Sequence, residues 1–464
     1  MAKDLRQWIE NLQTKAPGEI IRVDRPIQPD RFEATALLTQ MNEKGRDEAV
    51  LFEKNRNLQG KMSEFRVLMN TFATVRKIGT AFDLPSIPRV EVLNHILNQL
   101  KREIKPIVVS PKASPVKENI WRGGDLDLRR LPIVRHMDLD GGPYLTPVVA
   151  TRDLKKGRYN ISWNRMMYLD ETHLGLYMSP RHLWSYVAES EKQGKNLPVA
   201  VILGHHPAFH ISAAALCPLE RDEYDLASGF LGEPLRIVPS EAYGEELMVP
   251  ADAELIIEGE VVANKRTVEG PFGEFIGYCG PQRLSWLFEA RTITYRADAT
   301  LIDIFTCHAD HINIQIAIEA SLYERIKETV PSVKEVCWLD SGAPRDMIIS
   351  MAKRMEGEPM RAAMVALSAG NHLKHVIVVD DDICPSNLKE VRWAISTRVQ
   401  ADRDVHIITG FQGSVLDPSL RDEIKGAAMV IDATKPLDRP FPRRGTVPQE
   451  ILRKVSLDQY IKPR

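Results

Sequence analysis

Glu269-Gly270-Pro271-Phe272-Gly273-Glu274 places two carboxylates five residues apart across a chain reversal, between the strand-like runs Leu255 to Val262 and Arg291 to Tyr295. Proline presets one backbone dihedral and glycine tolerates dihedrals closed to other residues, so the hexapeptide can return both acids to one pocket. Held there in different surroundings, one acid can stay charged while the other carries a proton. Taken alone, the same six residues read as a surface hairpin with two solvated acids. The remainder of the sequence reverses that preference.

Outward from the turn, strand signals continue at Val148 to Arg152, Asn160 to Leu169 and Val199 to Leu203, interrupted by two helices. Residues 111–314 therefore read as a β-rich barrel or sandwich with helical insertions. Before it, residues 1–110 alternate helical patterns (Leu5 to Leu12, Val90 to Leu100) with short apolar runs (Ala49 to Phe52, Val67 to Met69), the signature of a small α/β region. Prolines between Pro106 and Pro115 separate the two. Residues 315–464 return to helices alternating with buried strands, with Val376 to Val379 and the amphipathic Leu388 to Val399, and predict a second α/β domain. A tail rich in Pro and Arg, Lys435 to Arg444, is expected to wrap a neighbour or stay mobile.

With 464 residues the chain is long enough for two or three domains, each with its own core. A 44% hydrophobic and 27% charged composition with a net charge of -2 excludes a disordered chain and the basic excess of a nucleic-acid binder. Five scattered cysteines without a CxxC pair argue against a disulfide framework or a zinc site and suit a reducing cytoplasm. No apolar run reaches the length of a membrane span, and the N-terminus opens into a polar amphipathic helix and not a signal peptide.

Several other stretches carry chemistry-bearing residues. Asn160-Ile161-Ser162-Trp163-Asn164-Arg165 brings a neutral oxygen donor and a permanent cation onto one strand; the arginine fork suits carboxylate or phosphate. Residues five apart on a flat strand face opposite sides, so a shared site needs a bulge or a wrapped edge. Pro180-Arg181-His182 precedes a helical stretch to about Gln193, where a phosphate can meet a helix N-terminus. Glu223 lies in a second helical pattern with Leu219, Leu226 and Phe230 as its apolar positions and acids on its edge. Asn, His and Glu together supply donors suited to Mn²⁺ or Mg²⁺ bridging a phosphate. The run His205-His206-Pro207-Ala208-Phe209-His210 invites a metal-hydrolase reading but lacks HExxH spacing. His308 and His311 are candidates for a pocket wall, with loop histidines bonded to backbone as the plainer reading. Neither GxGxxG, GxxxxGK[ST] nor GxSxG occurs.

In order and spacing, Asn160-x4-Arg165, Pro180-Arg181-His182, Asn196-Leu-Pro-Val199, Glu223-Tyr with Gly232-Glu-Pro234, the acidic hexapeptide and Ile431-Asp-Ala-Thr434 resemble the UbiD family of decarboxylases. The resemblance covers roughly residues 110 to 434. It implies a central split β-barrel domain that binds prenylated FMN, a flanking N-terminal α/β region and a C-terminal α/β oligomerisation domain. It implies reversible decarboxylation of an aromatic, heteroaromatic or α,β-unsaturated acid, a flavin prenyltransferase as cofactor supplier, and a homodimer or homohexamer. By the same resemblance Asn160, His182 and Glu223 hold Mn²⁺ or Mg²⁺ against the cofactor phosphate, with K⁺ a further candidate. Segment 160 to 165, Arg181, His182 and Glu223 contact the cofactor. Arg165, Glu269 and Glu274 form the catalytic set, Arg165 paired with Glu269 and Glu274 the proton donor. The sequence departs from the family pattern at Ala428, where a lysine is common and for which Lys425 is the candidate substitute, and at Trp163-Asn164. A non-catalytic flavin-binding scaffold and a flavin reductase-like enzyme using plain FMN are the competing readings.

Overall fold

All the strands predicted around the acidic turn join one antiparallel nine-stranded sheet. Its strand order is Tyr144–Leu145, Met166–Tyr168, His173–Leu176, Arg283–Tyr295, Leu255–Glu269, Leu197–Leu203, Val148–Arg152 and Tyr159–Trp163, with Asn119–Arg122 paired to Arg283–Tyr295. The computed structural model describes residues 3–338, 345–370, 372–420 and 425–460. The expected continuous strand Asn160 to Leu169 is instead two strands broken at Asn164-Arg165, and the break explains the curl of the sheet. Six inter-strand steps separate the two pieces along the sheet, roughly 29 Å if it were flat. Three Cα–Cα steps, at most about 11 Å, join them along the chain. The sheet must therefore curl until its edges nearly meet, which is the split half-barrel, and Arg165 sits at the seam.

Burial follows the pattern of the strands. Leu197–Leu203, sandwiched between Leu255–Glu269 and Val148–Arg152, is apolar along its length and almost wholly buried, as a central strand covered on both faces must be. The helix His182–Lys192 lays Leu183, Tyr186, Val187 and Ser190 inward, the i, i+3, i+4, i+7 stripe of a half-buried helix. Each such fully buried Leu, Ile or Val contributes about 1.5–3 kcal/mol. Three helices interrupt the strands between Val148 and Tyr295 where two were expected: His182–Lys192, Pro207–Ser212 and Glu223–Leu231. The extra one is a short turn started by His206, whose Nδ1 accepts the Ala208 N–H. Leu219 lies outside the third helix and is exposed, because Asp222 caps the helix three residues later.

The N-terminal strands Ile20–Val23, Ala49–Phe52 and Arg66–Met69 form a sheet completed by Thr300–Ile302. Toward the C-terminus, Val333–Trp338, Asp346–Met351, His375–Asp380, Lys425–Ala433 and Val405–Gln412 make a five-stranded mixed sheet. One hydrophobic cluster runs through all three regions, from Trp8 through Phe209 and Ile302 to Val430. The basic tail packs on its own chain: Arg444 donates to Glu390 Oε1 (3.1 Å) and lies over the Trp393 ring. No helix among the described residues is long and apolar enough to cross a membrane.

Candidate active site

Arg165 is buried at the seam and holds both acids of the hexapeptide. Its Nε donates to Glu269 Oε1 (2.8 Å) and Nη2 to Glu269 Oε2 (3.0 Å), a two-pronged grip; Nη1 reaches Glu274 Oε1. Tyr177 stacks over the guanidinium at 4.2 Å and Phe272 lies 5.1 Å away. The solvated-hairpin reading thus fails: Glu269 is fully buried and Glu274 only 8% exposed. Burial pushes the Glu274 carboxyl above its ordinary value; Arg165 pulls it back and Glu269 pushes it further up, leaving a net rise. For Arg165, burial disfavours the charge, but hydrogen bonding to Glu269 and the charges of both acids outweigh it and raise its pKa.

The turn explains how both carboxylates reach one cation. Gly270 has φ +91°, and a Cβ there would lie 2.8 Å from Pro281 O, so no other residue fits. The Gly270–Pro271 peptide is cis. Phe272–Gly273 then pairs with Cys279–Gly280, and Glu274 N donates to Tyr278 O (2.9 Å), closing the hairpin that carries Glu274. A Cβ at Gly273 would meet Met137 at 2.7 Å and Cys307 Sγ at 2.9 Å. The segment Asp140 to Tyr144 cradles the turn. Gly273 N donates to Asp140 Oδ1 (2.9 Å), Gly141 N to Pro271 O (2.9 Å) and Gly270 N to Tyr144 Oη (3.0 Å). Tyr144 also contacts Glu269 Oε1 at 3.1 Å. Asp140 additionally accepts from His136 N (3.1 Å) and Met137 N (2.8 Å). Asp-Gly-Gly-Pro signals only a loop in sequence; what it clamps is visible only in three dimensions.

Glu274 opens onto a cavity of about 520 Å³. Asn160, Ile161, Ser162, Trp163, Asn164, Arg165, Arg181, His182 and Glu223 all line it, whereas Glu269 sits behind Arg165. Asn160, His182 and Glu223 converge. Asn160 Nδ2 lies 2.9 Å from both Glu223 oxygens, Ile161 N donates to Oε2 (2.7 Å), and His182 Nδ1 is 3.0 Å from Oε1. Asn160 Oδ1 is buried with no partner. Arg181 precedes the helix His182–Lys192 and has no ion pair among the described residues; burial alone lowers its pKa.

These residues fit a phosphate-bearing flavin with a divalent cation. An unpaired arginine beside a helix N-terminus suits the phosphate, and an orphaned amide oxygen beside a carboxylate and an imidazole completes a hard donor set. No cluster of three or more His, Cys, Asp and Glu placed for a metal occurs among the described residues, so the amide oxygen would be the third ligand. Lys425 does not line the cavity; it is exposed at the start of its strand, so Arg181 is the remaining candidate for phosphate charge.

A second wall comes from residues 311–318. His311, Ile314, Gln315 and Ile318 face the cavity at i, i+3, i+4, i+7 spacing, joined by His372 from the C-terminal sheet region. His308 points elsewhere, stacking on Phe305 at 4.1 Å. The histidine run is structural: His210 Nε2 accepts the His205 N–H (3.0 Å), and His205 Nδ1 the His206 N–H (2.8 Å). It still serves the site at one remove, since Trp163 Nε1 donates to His210 O (2.7 Å) and the cavity wall is thereby fixed.

Three family models match the chain: the 3-octaprenyl-4-hydroxybenzoate carboxy-lyase N-terminal domain over residues 12–97, its Rift-related domain over 107–309 and its C-terminal domain over 311–433. The chain is 32% identical to anhydromevalonate phosphate decarboxylase of Methanothermobacter thermautotrophicus, covering 92% of this chain and 97% of that one. It is 31% identical to phenolic acid decarboxylase of Sedimentibacter hydroxybenzoicus, covering 95% and 93%. Among solved structures, the UbiD-class enzyme HmfF from Pelotomaculum thermopropionicum in complex with FMN superposes with a TM-score of 0.90 at 34% identity, covering 99% of this chain and all of that one. An evolved dimeric form of HmfF in complex with prFMN superposes with a TM-score of 0.86 at 32% identity, covering 99% and 100%.

Proposed function

The chain belongs to the UbiD family of carboxy-lyases, and we propose that it performs reversible, non-oxidative decarboxylation of an aromatic, heteroaromatic or α,β-unsaturated acid with prenylated FMN. The observation that carries this reading is the grip of one buried guanidinium on both acids of the hexapeptide, at a cavity that also gathers Asn160, His182, Glu223 and Arg181. Arg181 and the helix N-terminus after it would hold the cofactor phosphate, with Mn²⁺ or Mg²⁺ on Asn160 Oδ1, His182 and Glu223, and K⁺ as a further candidate. When bound, prenylated FMN supplies the electron sink for the pair left behind as the carboxylate departs.

The chain's own residues do the rest. Arg165 fixes Glu269 through two parallel hydrogen bonds, which locks the fork in one orientation and sets where Glu274 sits. Glu274, its pKa raised chiefly by burial, retains a proton at higher pH than an exposed glutamate. The bond to the carboxylate breaks, CO₂ leaves, and Glu274 gives its proton to the carbon that lost it; solvent then reprotonates Glu274. In the carboxylation direction the same carboxylate takes that proton away. Phe272, Phe275 and Trp163 line the cavity and keep water away from the reacting carbon. A flavin prenyltransferase would supply the cofactor, and a cytoplasmic homodimer or homohexamer is the assembly this reading implies.

The test is to produce the protein with and without a flavin prenyltransferase and to measure CO₂ release from a panel of unsaturated acids. Release that depends on co-production is expected. Equal activity with plain FMN would instead support a reductase-like enzyme.

A further inference from the structure

The charges around the cavity restrict what can be a substrate. Arg165 and Arg181 are the only Lys or Arg residues lining it among the described residues. Neither is free for a second substrate anion. The Arg165 fork is filled by Glu269 and Glu274, and on the reading above Arg181 faces the cofactor phosphate.

The wall nearest Glu274 is polar without charge. Phe275, the next residue, meets the His311 ring at 5.7 Å and the His372 ring at 5.2 Å, both edge-on. Neither ring nitrogen of His311 has a hydrogen-bond partner among the described residues. Its Nδ1 is enclosed, which leaves Nε2 as the nitrogen that cavity contents can reach. Gln315, four residues on in the turn between the helices Ala309–Asn313 and Ile316–Thr329, lines the same wall with Ile314 and Ile318 on either side. Burial, followed by the charges of His136 and Arg165, lowers the His311 pKa to about 3, and burial followed by Arg181 and Arg345 lowers that of His372 to about 4. Both rings are therefore neutral hydrogen-bonding groups near neutral pH.

Resting on the decarboxylase reading, we infer that the substrate is a monocarboxylate whose remaining part is flat, uncharged and hydrogen-bonding, such as a hydroxylated benzoate or an N–H heteroaromatic acid. A second carboxylate or a phosphate would be stripped of water with no free cation to meet it among the described residues. The curated relatives do not decide this by similarity, since one is named for a phosphorylated acid and another for phenolic acids at nearly equal identity. The cavity's charges do.

The experiment compares kcat/KM of the cofactor-loaded enzyme for hydroxybenzoates and pyrrole-2-carboxylate with matched acids bearing a distal carboxylate or phosphate ester. The monoanions should be favoured by at least roughly 100-fold, and Gln315→Arg should shrink that gap by about tenfold or more toward the dicarboxylates. Equal or better turnover of the dianions by the unaltered enzyme would overturn this inference and leave decarboxylation standing. If no acid released CO₂ or exchanged its hydrogen for deuterium with cofactor bound, the decarboxylase reading and this inference would fall together.

Discussion

Two motif-like stretches of this chain, Glu269 to Glu274 and His205 to His210, are both buried, yet they use their hydrogen-bonding capacity in opposite ways. In the histidine run each acceptor nitrogen is turned toward a neighbouring backbone N–H, and burial holds the rings neutral. In the acidic turn both carboxylates converge on one guanidinium, and one of them faces a cavity. A run of reactive side chains is thus a site only where its polar atoms are directed at open space. Where they are enclosed away from any cavity, with one nitrogen of each ring on a backbone N–H, the same residue types are scaffold.

The comparison breaks most sharply at Glu274. Glu274→Gln should lower CO₂ release by about 1,000-fold or more while flavin binding and the unfolding midpoint stay close to the parent, measured by absorbance and thermal melt. Next in size, Arg165→Met leaves two buried acids without their cation and should cost about 3–5 kcal/mol of stability as well as turnover, read by urea titration. Asp140→Ala frees the Gly273 N–H and loosens the hairpin; kcat should fall roughly tenfold through misplacement of Glu274, with Asp140→Asn recovering part of it because one acceptor oxygen remains. Smallest, His206→Ala removes a helix cap and should cost about 1–2 kcal/mol, while turnover per folded molecule stays within about twofold.

The pH responses of the two regions should have opposite signs. Glu274 has its folded pKa raised above the ordinary 4.5, so the proton needed for turnover is lost, and kcat declines, as pH rises through the raised value. Its contribution to stability is greatest below 4.5 and also falls as pH rises. His205 has its folded pKa lowered from 6.5 to about 4 by burial, so its contribution is complete above 6.5 and disappears as pH falls toward 4. Acid should therefore loosen the histidine run before it harms the acidic turn, seen as protease sensitivity near the helix Pro207–Ser212 below pH 6.

Sequence periodicity recovered most strands of the barrel because they are apolar and bounded by turns; Val148–Arg152 has the expected bounds, as does Ala49–Phe52 in the N-terminal sheet. It missed the break at Asn164-Arg165, since no proline or glycine marks it. The break goes together with closure of the sheet, a tertiary arrangement that local propensity does not encode. Arg165, Glu269 and Glu274 were identifiable as candidates from residue type and order, and the structure brings them together. His311 was a candidate for the pocket wall and lines it; Asp140, Tyr144 and Ile318 were not identified, because their partners lie over 100 residues away or on the far side of a cavity. His308 and His311 look alike in sequence; only the turn of the helix Ala309–Asn313 puts one at the cavity and the other against Phe305.

Crystals of the protein loaded with prenylated FMN and Mn²⁺, with the metal located by its anomalous scattering, test the central claim most directly. The expected result is manganese on Asn160 Oδ1, His182 and Glu223, phosphate beside Arg181, and the flavin ring facing Glu274. Manganese absent from that cluster, or a flavin lying away from Glu274, would contradict it.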